Sequence, residues 1–256
     1  MIDVWSRGPA DDNMPEAMLV ETLARVRRHP WWSARARLAL AVLAARGIKP
    51  PAPVWDIGCG WGINLQALET AGYQATGLDI SRQILERLDR PGRRLIEADL
   101  NQPPPATGEA AAGALLLDVL EHLDDDRGTL RRIAPLVRPG GTLVVSVPAL
   151  PELFSEFDRI QGHRRRYVPE TLRAAFADTG FDAQKIFWWG AWMIPVLRRM
   201  RQKRDGGKPK TYADYLRLPP WPAPLLLRGI YAWEHHRALA GRLHTGTSLF
   251  AVAARI

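Results

Sequence analysis

The stretch PVWDIGCGWG, residues 53–62, limits the possible folds more than any other part of the chain. A short apolar run carrying Asp56 spills into glycines at alternate positions, Gly58, Gly60 and Gly62, and a helical pattern begins at Asn64. Glycines tolerate left-handed backbone, and a strand that feeds a helix through such a turn aims free N–H groups at whatever approaches. A nucleotide-like cofactor is expected there. The spacing is not that of a dinucleotide site: G-x-G-x-x-G would put its third glycine at position 63, which is Ile63.

Further apolar runs end in acids. Residues 74–78 lead to Asp79 and Ile80, residues 94–98 to Asp99 and Leu100, and residues 113–117 run through Leu117 into Asp118. A carboxylate at the end of the second strand suits two ribose hydroxyls, and acids at successive strand ends fit a ligand bound outside the carboxyl edge of a parallel sheet. A helix over 127–137 and the glycines of RPGG lead to a fifth strand, 142–147. This βα alternation argues for an α/β fold with right-handed crossovers.

The order D-x-G-x-G-x-G resembles the first motif of the class I methyltransferases that use S-adenosylmethionine. The segment D-V-L-E-H-L, residues 118–123, resembles the fourth-strand motif of their small-molecule, quinone-methyltransferase-like members. That resemblance covers about residues 50–150. It implies a Rossmann-like sheet of seven mostly parallel strands with N-terminal helices and a helical insertion between strands 6 and 7. The corresponding segments are a helical lid (1–50), a cofactor-binding core (51–190), an insertion (191–245) and a last strand (246–256). It places Asp56 near the methionine amino group and Asp99 at the adenine amino group, and draws Cys59, Leu117 and Asp118 into the S-adenosylmethionine site. Asp118, Glu121 and His122 match positions that hold a divalent metal in some relatives; others carry similar residues without one, and no metal is expected. HPWW at 29–32, with Arg35 and Arg37 beyond it, is similar to a bacterial subset in which Arg35 would meet the cofactor carboxylate. The alternative is a helix packed on the sheet with solvated arginines.

A methyl donor that is already activated leaves the protein to align the acceptor and, for a hydroxyl, to remove its proton. His122 and His163 are the candidate bases. His163 lies in GHRRRY, residues 162–167, which resembles a stretch following the fifth strand in bacterial enzymes of glycan and lipid-linked pathways. His163, Arg165, Arg166 and Tyr167 would position an anionic or polyol acceptor; the competing reading is a basic loop clamped by Asp158 and Glu156. The NQPPP of 101–105 follows the third strand and lacks the aromatic of the amino-methylating N-P-P-[YF] motif, so it reads as a loop.

Composition decides what remains. The formal net charge is +8, but seven basic residues crowd into 198–210 against Asp205 alone, so the excess is local and nucleic acid is not the expected partner. One cysteine excludes an internal disulfide and fits a cytoplasmic setting. Residues 186–197 form an uncharged stretch too short to span a bilayer. With the basic run that follows, residues 186–204 read either as peripheral contact with the inner membrane face or as a substrate cap, in which Trp188, Trp189 and Trp192 would line an acceptor pocket. The expected acceptor is a small or lipid-linked molecule. Rival classes are a nucleic-acid-binding protein and a noncatalytic partner of another biosynthetic enzyme; the sequence leaves the oligomeric state open.

Overall fold

The computed structural model describes residues 1–9, 14–106, 108, 110–202, 212, 216 and 223–256. Its elements in chain order are β1 (Ile2–Val4), α1 (Glu16–Arg28), α2 (Pro30–Ala45), β2 (Pro53–Ile57), α3 (Ile63–Thr70), β3 (Gln74–Asp79), α4 (Arg82–Leu88), β4 (Arg94–Glu97), β5 (Ala111–Leu117), α5 (Asp126–Ile133), β6 (Val137–Pro148), α6 (Glu156–Ile160), α7 (Pro169–Ala175), β7 (Phe181–Trp189), α8 (Met193–Gln202), a last helix (Ala223–Leu239) and β8 (Ser248–Arg255).

The strands form one sheet in the order β1-β4-β3-β2-β5-β6-β8-β7, with β8 antiparallel to both neighbours and the other pairs parallel. Eight strands replace the seven expected. The additional one is β1, whose three residues pair with β4 at the sheet edge; a run that short shows no alternation by which to find it.

Helices cover both faces, so strands read as nearly continuous apolar runs, and all seven residues of β5 are buried. The alternation of side chains still divides the core. Trp55, Ile57 and Leu116 pack on the side of α5 and α7, while Val54, Leu115 and Leu117 pack against α2. Helix α2 is apolar almost all round because it lies between the sheet and the last helix, sharing a cluster with Tyr231 and Ala238. Its first turn is capped by the His29 side chain, which accepts from the Trp31 backbone N–H at 3.2 Å. Trp31 stacks on Trp189 of β7 with ring centroids 4.1 Å apart, and Trp189 is fully buried.

The aromatic run at the end of β7 is therefore core. This corrects the expectation of an interfacial element starting at 186, because Phe187 and Trp189 pack inward against Phe250 of β8. Between β7 and β8 stand α8 and the last helix, joined where the Glu234 carboxylate accepts from the Ala191 N–H at 2.7 Å. The basic residues Lys203, Arg204, Lys208 and Lys210, with Asp205, Gly206, Gly207, Pro219, Pro220 and Pro222, lie outside the described residues.

Candidate active site

β2 ends at Ile57, and the chain turns through Gly58, Gly60 and Gly62 at φ 70°, 43° and 72° into α3. The Gly60 N–H donates to Asp79 Oδ2 at 2.7 Å and the Ser81 N–H to Oδ1 at 2.9 Å, so the carboxylate at the tip of β3 is tied to the turn beside it. Burial pushes the Asp79 carboxyl up, against these hydrogen bonds. Asp99, beyond β4, donates its N–H to Ser6 Oγ at 2.8 Å and accepts from the Asn101 N–H at 2.9 Å. Asp118, at the end of β5 with φ 56°, pairs with Arg35 of α2 and accepts from Ser146 Oγ at 2.7 Å.

Asp56 lies beneath this turn, fully buried. Burial raises its carboxyl to about 7, although the hydrogen bond from Asn64 and the nearby Arg35 both oppose the shift.

On the other side of the strand ends, Asp158 of α6 is a hub. Its Oδ2 accepts from Ser155 N–H at 2.8 Å; its Oδ1 meets His163 Nδ1 at 3.1 Å and Arg166 Nε at 2.7 Å. Burial works against its charge, yet His163 and Arg166 together hold its pKa down to about 2. With Nδ1 committed to Asp158, His163 turns Nε2 toward Glu121, 3.9 Å away, and its ring lies edge-on to His122 at 4.8 Å. Burial, and then the charge of Asp118, raise Glu121 well above the usual carboxylate range; both its oxygens are buried and without a hydrogen-bond partner. Burial, and then His163, lower His122 to about 3. His122 is thus a neutral, weak base, and of the two candidates only His163 has a carboxylate orienting it.

A cavity of about 980 Å³ joins the two halves. Its walls include Arg35, Gly58, Cys59, Gly60, Asp79, Ile80, Asp99, Leu100, Leu117 and Asp118 on the glycine-turn side, and His122, His163 and Arg166 on the other. Several expected residues lie elsewhere. Asp56 is behind the turn, and Gly62 faces Leu88. Tyr167 is in the core, its hydroxyl donating to Asp126 Oδ2 at 3.0 Å, and burial raises its pKa beyond reach as a base. Arg165 reaches away to the Asp124 carbonyl at 3.0 Å and to Asp126. Trp189 is stacked on Trp31 and Trp192 lies edge-on to Tyr231, and neither lines the cavity. Arg166 does line it, but its guanidinium is spent on Asp158 and the Ala149 carbonyl.

Residues missed in the sequence complete the walls: Trp32, Trp61, Asn64, Ser155 and Phe157. Asn64 follows the glycine turn on an otherwise apolar face of α3, which was a usable signal. The three aromatics come from three separate segments, and their spacing gave none. The set proposed for a metal changes too. Arg35 takes Asp118, and His163 joins Glu121 and His122, with donor atoms all within 4.8 Å of one another. One carboxylate and two imidazoles make a donor set that fits a borderline divalent cation such as zinc.

A family model described as a methyltransferase domain matches residues 26–186. Among curated relatives, a ubiquinone biosynthesis O-methyltransferase of Xanthomonas campestris pv. campestris is 32% identical over 116 residues, 42% of this chain and 47% of that protein. A trans-aconitate 2-methyltransferase of Rhodopseudomonas palustris is 37% identical over 122 residues, 44% of this chain and 45% of that protein. The chain thus spans about half the length of the curated relatives it matches. Among solved structures, a SAM-dependent methyltransferase of Archaeoglobus fulgidus superposes with TM-score 0.53 at 19% identity, over 86% of this chain and 94% of that one. A Burkholderia thailandensis 1,6-didemethyltoxoflavin-N1-methyltransferase, solved with its namesake substrate and S-adenosylhomocysteine, gives 0.53 at 20% identity, over 94% and 86%. These structural likenesses bear on the fold.

Proposed function

The chain belongs to the methyltransferase-domain family, and from that premise we propose that it transfers the methyl group of S-adenosylmethionine to a hydroxyl of a small-molecule, sugar or lipid-linked acceptor. The observation that carries this reading is the continuity of one cavity from the glycine turn to His163. In it the backbone at Gly58, Cys59 and Gly60 takes the amino-acid end of the cofactor, Asp79 the ribose hydroxyls and Asp99 the adenine amino group. When bound, the sulfonium of the cofactor supplies a methyl group that needs no further activation.

His163 then does the protein's share of the chemistry. Asp158 holds the Nδ1 proton and so presents Nε2 as the acceptor. As the acceptor oxygen bonds to the methyl carbon, the carbon–sulfur bond breaks with its electron pair left on the departing S-adenosylhomocysteine, and the acceptor's O–H bond breaks as its proton passes to Nε2; Asp158 stabilises the imidazolium that results. His163→Ala is expected to lower turnover by about 10²- to 10⁴-fold while leaving S-adenosylhomocysteine affinity unchanged. Tyr167→Phe, which touches no part of the cavity, should keep full turnover. The acceptor for these assays would come from a methyl-labelling screen of cell extract, and undiminished turnover in His163→Ala would remove the base from the reading.

The unpartnered oxygens of Glu121 favour a second reading, in which Glu121, His122 and His163 hold a divalent cation that polarises the acceptor hydroxyl. Turnover that persists unchanged after dialysis against chelator excludes that role; loss restored by zinc supports it.

A further inference from the structure

The last helix has two distinct faces. Tyr231, Glu234 and Ala238 are buried, whereas Leu226, Ile230 and Trp233 are 65%, 37% and 59% exposed. Spaced by four and three residues, they form a single stripe. Single exposed apolar residues are ordinary, but a stripe of large ones along one helix is not. Its borders are cationic. Arg237 lies over the Trp233 ring, 5.1 Å from the centroid, and Arg228 and His236 are exposed. The turn ahead of helix α8 is tied to this helix by Glu234, and α8 itself carries exposed Arg198 and Arg199. Exposed Arg37 of α2 lies near enough to Arg228 to feel its repulsion. Among the described side chains of the two helices Glu234 is the one acid, and it is buried; every exposed charge is basic.

We propose that this face of the last helix docks on an anionic phospholipid surface. A Trp ring with Leu and Ile on one line suits the boundary between acyl chains and headgroups, where the indole N–H can find a polar partner and arginine stems extend to phosphate. The charge argues against a second copy of the chain: an isologous pairing would set one cationic rim against the other with no acid to neutralise it. The aliphatic stripe argues against nucleic acid, to which Leu226 and Ile230 offer neither charge nor a stacking plane. Met193, Val196 and Leu197 of α8 line the cavity, so the segment that Glu234 holds to the last helix leads directly into the cavity wall.

Flotation of the full chain with phosphatidylcholine vesicles, with and without phosphatidylglycerol, at physiological salt tests the assignment. The chain should rise with the anionic vesicles only. Leu226→Ser with Trp233→Ser should weaken partitioning at least about tenfold, and Arg228→Glu with Arg237→Glu should weaken it similarly. All four side chains are away from the cavity, so both variants should melt as the parent does and bind S-adenosylhomocysteine normally. A parent that stays at the bottom with anionic vesicles overturns the proposal, as does a serine variant that floats as well as the parent. Vesicle-independent dimers lost in the serine variant would give the face to a second copy. RNA binding without vesicle binding, lost in the glutamate variant, would give it to nucleic acid. None of these failures bears on methyl transfer.

Discussion

Two glycines of one turn should respond differently to the same methyl group. At Gly58 an added Cβ would meet Val119 Cγ2 at 2.4 Å, on a backbone already left-handed; at Gly60 it would meet nothing within 4 Å. Gly58→Ala should cost about 3 kcal/mol from strain and overpacking together, and Gly60→Ala about 1 kcal/mol from strain alone. Urea unfolding of the pair measures the difference, and equal losses would show that the contact with Val119 is relieved cheaply. Asp56 makes a prediction about pH. Its carboxyl is raised from 3.8 unfolded to about 7 folded. Between those values the folded state keeps a proton that the unfolded chain has lost, so its contribution to stability is present in full below about pH 4 and is lost as pH rises through about 7. The slope amounts to roughly 1.4 kcal/mol per pH unit at most. Asp56→Asn should flatten it, and unfolding curves at pH 5 and pH 8 that shift in parallel for both proteins would refute the assignment.

At the scale of elements, two carboxylates hold segments in place. Glu234 accepts from the Ala191 and Trp192 N–H groups ahead of α8, joining the last helix to the cavity wall. Glu234→Ala should lower stability by about 1–3 kcal/mol, whereas Glu234→Gln keeps an acceptor in place and should lose less; indistinguishable melting curves would show that the cap does not bear on stability. Asp158 serves α6 and the 161–167 loop in the same way. These elements also show how far the sequence could be read. The βα repeat and the acids closing β3, β4 and β5 were legible because a short apolar run ending in a carboxylate is both a structural and a chemical statement. Asp158, by contrast, reads in the sequence only as a clamp on a basic loop, since no spacing says which of three consecutive arginines turns inward; Arg166 does, and Arg165 does not. Tyr167 and Trp189 carry the chemistry of a site, yet both lie in the core: the pleat of β7 turns Trp189 inward, and Tyr167 is held there from a loop by its bond to Asp126. The stripe at 226, 230 and 233 was within reach as a helical period, but hydropathy cannot tell which side of a mostly apolar helix meets water.

Across the whole molecule, the glycine turn and three acid-bearing strand ends belong to one sheet, so filling the cofactor half should stabilise the sheet as a unit. At 100 times its dissociation constant, S-adenosylhomocysteine should add about 2.7 kcal/mol, a rise in melting temperature of roughly 5–10 °C for a chain of this size. A second, unshifted transition would mean that part of the chain melts separately. The stacking of Trp31 on Trp189, residues far apart in sequence, provides an independent way to follow the same transition. Two indoles held face to face couple their electronic transitions and give a paired band of opposite signs in circular dichroism. That optical signal should vanish when α2 parts from β7, reporting the seating of the N-terminal helices on the sheet without any label.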